Sequence, residues 1–431
     1  MREPVHVLVD RLVYGGEGLA RMDDGRAVFV PGVLPGERVL VRPLRKRKGT
    51  FVAELLSVLS PSPDRVAPPC SGELECTGAT WPHIAYPAQV RHKEEILLDT
   101  LKRIGGLKPE RLLPHIPAPR NNHYRLRTQF TVSTIQGRQA IGFFRQGTYT
   151  LIEVKNAFLL HPLINRTLDV VRSAVHLLPP LAEIHINASP GNEVHLLLFS
   201  GRDQLQPPEP FFETLQRSMP EVIGITGFAN RKKAFSLGRD HLLLEAEGMT
   251  YRATEGNFYQ VNWDQNRGMI RTVLELAGLT GTETVLDLYC GIGNFALPLA
   301  KQAKEVVGIE SGFSAIEDAK RNAELNGIAN ARFFADDMDD GLKQLLAKKM
   351  RADVVVLDPP RAGATLKTTE RVLAFVPRKI VYVSCNPSTL ARDLKFFALF
   401  GFRLDRLRMI DMFPWTYHIE CVAEMVREDA G

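Results

Sequence analysis

Cysteine is scarce in this chain: Cys70, Cys76, Cys290, Cys385 and Cys421 are spread over 431 positions. So odd and scattered a set argues against a disulfide framework and fits a reduced compartment. Long apolar runs are also missing. None approaches the ~18 residues that a membrane span needs, so no membrane partner is expected. The opening Met1-Arg-Glu-Pro-Val lacks an apolar leader core, which points to a cytoplasmic protein. Neither sign of charge dominates, the net charge being +5, and no repeat or low-complexity tract interrupts the sequence.

What is present is an ordinary globular composition, 45% apolar and 24% charged, long enough for more than one domain. Basic residues fall in groups: Arg42, Arg45, Lys46, Arg47 and Lys48; Arg120, Arg125 and Arg127; Arg231, Lys232 and Lys233. Such groups suit phosphate contacts. Residues 4–58 read as a small β-barrel. Short alternating runs at Val5–Val9, Ala27–Val30, Glu37–Val41 and Phe51–Val58 lie between Gly15-Gly16, Asp24-Gly25 and Pro35-Gly36 turns.

The proline-rich stretch 61–69 reads as a stiff linker. An amphipathic helix is expected over 89–106. From Tyr124 to about Gly248 strands dominate (Arg127–Thr134, Ala140–Phe144, Glu183–Asn187, Val194–Phe199), with a helix near 160–177. Strands at 284–289, 305–309, 331–334, 353–357 and 379–384 then alternate with helical segments, the pattern of a parallel doubly wound sheet. Arg403–Met412 and Tyr417–Val426 read as a closing antiparallel hairpin. The expected class is α/β: a barrel over 1–60, an α+β middle domain over 61–255 and a mostly parallel, Rossmann-like domain over 256–431.

Three segments of the last domain carry chemistry. In Tyr382-Val-Ser-Cys-Asn-Pro387 a buried strand ends in a cysteine at a helix start, with Asn386 as cap and Pro387 in the first turn. A helix N-terminus stabilises negative charge, so Cys385 is expected to ionise near neutral pH. In the second segment Gly291-Ile-Gly293 turns a strand into a helix, which suits either a dinucleotide or S-adenosylmethionine. The acids decide for the latter. Asp287, on the strand before the glycines, can face an ammonium group. Glu310 ends the next strand within reach of ribose hydroxyls, Asp337 follows the third towards an adenine amino group, and Asn294 lies near the methionine end.

The third element pairs Asp358-Pro-Pro-Arg361 with His418-Ile-Glu420. An exocyclic amino group needs no cysteine for its methylation, because nitrogen is already nucleophilic. Pyrimidine C5 is a poor nucleophile until a thiolate adds at C6, and a base must afterwards remove the C5 proton. Cys385 is the candidate nucleophile, Glu420 the candidate base, and Asp358 can hold the pyrimidine edge. His418 reads equally as a base-pocket contact or a structural histidine. Cys290 and Cys421 read as packing residues.

Phe258-Tyr-Gln-Val-Asn262, Asp287-Leu-Tyr-Cys-Gly-Ile-Gly-Asn294, Asp358-Pro-Pro-Arg-Ala-Gly363, Ser384-Cys-Asn-Pro387 and Asp411-Met-Phe-Pro-Trp-Thr-Tyr-His-Ile-Glu420 together closely resemble the RNA 5-methyluridine (uracil-C5) methyltransferases that use S-adenosylmethionine. The resemblance covers nearly the whole chain. It implies that Gln260, Tyr289, Glu310, Asp337 and Asp358 line the cofactor site, that Cys385 is the nucleophile and that Glu420 is the proton-abstracting base. Gly15-Gly-Glu-Gly-Leu-Ala-Arg21 and Phe29-Val-Pro-Gly32 resemble a TRAM domain, a small oligonucleotide-binding barrel. The ribosomal-RNA branch of the family usually has this domain and the bacterial transfer-RNA branch usually lacks it.

Two further expectations follow from the resemblance. The helix near 89–118 packs on the catalytic domain in family members, implying a discontinuous middle domain. Ribosomal-RNA members often hold a [4Fe-4S] cluster on four cysteines. Here Cys70 and Cys76 open that pattern, but Ala79 and Ala157 stand where the third and fourth thiolates are expected. No cluster and no other metal is therefore expected.

The expected reaction is methyl transfer to C5 of a uridine, in 23S ribosomal RNA first and transfer RNA second. Cytosine-C5 methylation and an inactive RNA-binding assembly factor rank lower. The base must leave its stack, so a single-stranded or loop target is expected. Arg125, Arg127 and Arg145 are candidate phosphate contacts, with Asp358 and His418 against the base. No DNA partner is expected, and the default state is a monomer.

Overall fold

The computed structural model describes residues 3–22, 24–47, 50–70, 76–135, 137–145 and 148–428. Of the first basic group, Lys48 and the side chains of Arg45, Lys46 and Arg47 lie outside the described residues.

Five strands close the N-terminal barrel: Val5–Leu12, Gly18–Arg21, Ala27–Val30, Arg38–Arg47 and Thr50–Ser60. Alternation drives it, since Val7, Val9, Val28, Val30, Val39, Val41 and Phe51 all point into one core. The strand Gly18–Arg21 has no counterpart in the expected runs, because a glycine opens it. Gly18 is required there, as a Cβ would collide with Val33. The proline-rich stretch that follows is a clamp as well as a spacer. Arg65 donates from Nε and a terminal nitrogen to the buried Glu37 carboxylate at 2.6 and 2.7 Å, and to Gly32 O at 2.8 Å. Val66 N donates to His83 O, and Ala85 N to Asp64 O. The barrel is thereby fixed to the segment that leads into the next helix.

Cys70 and Cys76 form a disulfide, which corrects the expectation of a wholly reduced set. Their Cα atoms lie 5.5 Å apart, within bridging range. The sequence shows the spacing of the two residues but not the closeness of their backbones.

A seven-stranded mixed sheet forms the middle of the molecule, in the order Lys232–Gly238, Val222–Ala229, Val194–Ser200, Glu183–Ala188, Arg127–Ile135, Arg138–Phe144 and Leu151–Ile152. The helix Pro162–Ser173 covers it with Leu163, Ile164, Leu168 and Val171.

The last sheet has eight strands in the order Ala331–Ala335, Glu305–Glu310, Thr284–Leu288, Val354–Leu357, Lys379–Ser384, Glu420–Arg427, Phe402–Ile410 and Arg111–Leu112. Its first five are parallel. Val354–Leu357 is buried at every position, as a strand covered on both faces must be. The chain order reverses between Thr284–Leu288 and Val354–Leu357, the switch point where open α/β sheets bind ligands.

The helix expected at 89–106 runs from Tyr86 to Thr100 and ends in a π-helical turn, Leu101–Gly105. It starts early because Pro87 suits the first turn. The π-turn lies against the helix Pro387–Leu399, so closely that a Cβ on Gly105 would stand 3.0 Å from Ala391 O. Arg111–Leu112 joins the eight-stranded sheet, so this stretch of chain packs with the C-terminal layer.

Lys93, fully buried on that helix, donates to Asp411 Oδ1 at 2.6 Å and to Phe413 O at 2.9 Å. Removing one partner of a buried pair strands the other charge. Lys93→Ala is therefore expected to cost about 3–5 kcal/mol of stability, and Lys93→Met with Asp411→Leu much less. Urea unfolding midpoints of the single and double variants check this.

Candidate active site

The strand Lys379–Ser384 delivers Cys385 to the carboxyl edge of the sheet. Asn386 caps the next helix by accepting from Ser388 N at 3.0 Å, with Pro387 in the first turn, as expected. Ser384 pairs with Cys421 across the antiparallel ladder, so the neighbouring Cys385 and Glu420 face the same end of the sheet. Cys385 is half-buried, whereas Glu420 is 4% exposed.

Glu420 leads out of an irregular loop in which the four successive carbonyls from Met412 to Trp415 are held. Asn262 Nδ2 donates to Met412 O, Lys93 Nζ to Phe413 O and Tyr124 Oη to Pro414 O, at 2.9–3.0 Å. The Trp415 carbonyl accepts from the backbone N–H groups of Thr80 and Trp81 at 2.9 Å each. Gln89 Oε1 accepts from Trp415 N at 2.7 Å. Trp415 itself has φ 63°, a left-handed backbone that this web sustains.

The electrostatics correct one expectation. Burial, followed by the charges of Glu420 and Asp358, pushes the Cys385 thiol up to about 11, against the pull of Arg361. The helix N-terminus argument is sound locally, but the two carboxylates arrive from other strands. Burial likewise raises Asp358 to about 7, with Glu310 adding to it. Glu420 is raised well above the usual carboxylate range by burial and Asp358. Burial and the charge of Arg361 hold His418 down at about 4. The neutral His418 ring, 4.4 Å from that of Tyr417, has Nδ1 3.4 Å from an Arg361 terminal nitrogen.

Beside this edge a cavity is lined by Phe258, Gln260, Tyr289, Gly291, Asn294 and Asp358, among others. Tyr289, Gly291 and Gly293 take φ of 63°, 53° and 91°, which folds the turn after Thr284–Leu288 into a backbone cradle. Asp287, fully buried below it, has no side-chain partner among the described residues, and only the Ala296 backbone N–H approaches its carboxylate. Burial and Asp358 raise its pKa. A buried carboxylate with no cationic partner, under a left-handed turn, fits a ligand carrying an ammonium group, so the residues present suit S-adenosylmethionine.

Glu310 and Asp337 stand at the ends of the next two strands, outside the lining of this cavity. Glu310 accepts from Gly312 N at 2.9 Å, and Asp337 caps its helix by accepting from Asp339 N at 2.9 Å. The Asn294 side chain is committed to Asn266 through reciprocal amide bonds of 2.8 and 3.1 Å, and its carbonyl accepts from Tyr251 Oη at 3.3 Å.

A larger groove of about 870 Å³ shares Phe258 with this cavity and is also lined by Arg125, Arg127, Phe143, Phe144, Arg145 and Asn187. Arg127 serves the groove wall: it donates to Tyr259 O at 3.1 Å and lies over the Phe258 and Tyr259 rings. Elsewhere in the basic groups, Arg42 pairs with Glu54, Arg120 with Asp264 and Lys233 with Glu255. Cys76, Ala79 and Ala157 line the groove together. Two methyl groups and a sulfur pair closed on itself do not fit a four-thiolate cluster.

The raised thiol predicts a pH profile. Below its pKa the thiolate fraction grows about tenfold per pH unit, so alkylation of Cys385 by iodoacetamide in the ligand-free enzyme should climb steadily from about pH 7 to pH 9.5. Peptide mass spectrometry follows the site, and a plateau reached by about pH 8 would contradict the assignment.

Comparison with known proteins completes the picture. The family model described as tRNA (uracil-5-)-methyltransferase matches residues 85–427, and the TRAM domain model matches residues 2–48. An RNA methyltransferase of Halalkalibacterium halodurans is 34% identical, over 97% of this chain and 96% of the relative. Another, of Aquifex aeolicus, is 34% identical over 99% of each chain. The structure of Pyrococcus abyssi tRNA (uracil-54, C5)-methyltransferase in complex with S-adenosyl-L-homocysteine superposes with a TM-score of 0.76 at 25% identity, covering 97% of this chain and 99% of that one. The chain thus belongs to the tRNA (uracil-5-)-methyltransferase family, as an S-adenosylmethionine-dependent RNA methyltransferase with an N-terminal TRAM domain.

Proposed function

We propose that the enzyme methylates C5 of an RNA uridine through a covalent adduct to Cys385. The observation that carries this reading is the shared edge of the sheet at which Cys385, Glu420 and Asp358 meet beside the cofactor cavity. S-adenosylmethionine, when bound, supplies an electrophilic methyl group on a sulfonium. Cys385 Sγ, as thiolate, adds to C6 of the ring and pushes the double-bond electrons towards C5 and O4. Once C5 carries the methyl group, Glu420 removes the C5 proton. The C5–C6 double bond re-forms, the C6–S bond breaks and the thiolate is regenerated. A carboxylate raised by burial is the stronger base for that step.

Asp358 holds the pyrimidine edge, and His418, neutral and beside Arg361, is a contact for the base. Gln260, Asp287, Tyr289, Gly291, Gly293 and Asn294 hold the methyl donor, with Glu310 and Asp337 reached by its nucleoside end. The 870 Å³ groove suits single-stranded RNA. Phe144, Tyr149 and Phe258 are 44%, 93% and 63% exposed, as stacking surfaces for splayed bases would be. Arg125 and Arg145 stand there for phosphates.

Cys385→Ala is expected to abolish methyl transfer while leaving S-adenosylmethionine binding intact, as tritium transfer and calorimetry would read. Appreciable turnover in that variant rules out the covalent route. Glu420→Gln should accumulate a protein–RNA adduct, seen as a slow band on a denaturing gel. Normal product release would remove Glu420 from the base role.

For the target we favour 23S ribosomal RNA, on the likeness of the barrel to that of the ribosomal-RNA branch. Transfer RNA is the second reading, favoured by the whole-chain likeness to the Pyrococcus abyssi enzyme, which acts on tRNA. Nucleoside mapping of both RNAs from a deletion strain should show one 5-methyluridine missing from the ribosomal fraction. Its loss from transfer RNA would instead select the second reading.

A further inference from the structure

We infer that Tyr14 of the N-terminal barrel is a positioning residue for catalysis, its hydroxyl fixing the peptide that follows the nucleophile. This rests on the reading of Cys385 given above. Tyr14 Oη donates to Cys385 O at 3.2 Å, across 371 positions of sequence. At the other end of the same peptide, Asn386 N donates to Ser384 Oγ at 3.1 Å. Both polar ends of the Cys385–Asn386 peptide are therefore held, one locally and one by the barrel. That peptide plane sets how the Cα–Cβ bond of Cys385 leaves the strand, and so where the sulfur can travel. Without the phenol, the bond from Asn386 N to Ser384 Oγ is left to restrain that plane alone.

The barrel loop is built to hold the tyrosine in place. Val13 N donates to Glu17 O and Gly16 N to Val13 O, both at 3.0 Å. Trp81 Nε1 donates to Gly16 O at 3.0 Å. Gly16, at φ 87°, lies so near the catalytic loop that a Cβ there would stand 2.9 Å from Tyr417 Cδ1. The Tyr14 ring meets the Tyr417 ring edge-on, with centroids 6.1 Å apart. Tyr417 N in turn donates to Thr80 Oγ1 at 3.1 Å, in the loop that ends at Glu420. One barrel loop thus touches both the nucleophile turn and the loop that delivers the base.

The phenol is suited to donate and not to ionise, since burial and the nearby Cys385 push it up to about 12. Its hydrogen is committed to a carbonyl, so it takes no part in proton transfer. The barrel then contributes to the chemical step as well as to RNA capture.

Tyr14→Phe keeps the ring and deletes only the donor. In the full-length enzyme at saturating S-adenosylmethionine, kcat and the rate of adduct formation on 5-fluorouridine RNA should fall about fivefold. The RNA KM, the RNA Kd and the thermal midpoint should stay at wild-type values. Wild-type kcat in this variant overturns the inference, and so does a loss confined to KM. A lowered thermal midpoint with normal kcat assigns Tyr14 to packing alone and also overturns it. Cys385→Ala run alongside separates the two failures, because turnover there condemns the nucleophile itself, whatever Tyr14 does.

Discussion

The buried Lys93–Asp411 pair does for the catalytic loop what secondary structure does elsewhere. Between Ile410 and Glu420 no helix or strand holds the backbone, yet this stretch leads directly into Glu420, at the same end of the sheet as Cys385. Lys93 anchors the start of the loop by charge and the third residue by its carbonyl. Asn262, Tyr124, Gln89 and the Thr80–Trp81 backbone secure the rest. Each such bond contributes only about 0.5–1.5 kcal/mol net. Their value lies in removing alternatives, since no peptide from 412 to 415 can turn without losing a partner.

Around that fixed loop the site keeps its own charge low. Asp287, Asp358 and Glu420 are all pushed towards the protonated form and Cys385 towards the thiol, chiefly by burial. The methyl donor carries a sulfonium and an ammonium group. Positive charge entering such a pocket favours every ionised form at once, in the presence of the reactant that needs them. A resting thiol is also less open to stray oxidation than a standing thiolate.

Much of the fold is legible from local pattern. The alternation of the barrel, the apolar runs of the parallel strands and the Asn386-Pro387 helix start each depend on neighbours in sequence, so they can be read there. Cys385, Glu420 and the glycine turn fall where such patterns end. What stays hidden is long-range. Lys93 sits on an amphipathic helix, where a lysine reads as a solvated face, and nothing nearby announces Asp411. The Cys385 thiol is the sharpest case. Its own segment argues for a thiolate, and burial in the folded sheet, joined by carboxylates from two other strands, reverses that. Asn294 shows the same limit: its turn points to a ligand, but Asn266 claims its side chain. The strand Gly18–Arg21 is masked by its own glycine, which serves closeness to Val33 and not a bend.

The strand Glu420–Arg427 does not lie at the rim of its sheet. It slots between Lys379–Ser384 and Phe402–Ile410, both made before it. During synthesis the growing polypeptide therefore exposes a cysteine-bearing edge that stays unpaired until Glu420–Arg427 has left the ribosome. The same insertion that closes the ladder brings in Glu420, the group assigned to release the product. Closure of the sheet and completion of the Cys385–Glu420 edge are thus a single event, which waits for the hairpin that ends in Glu420–Arg427.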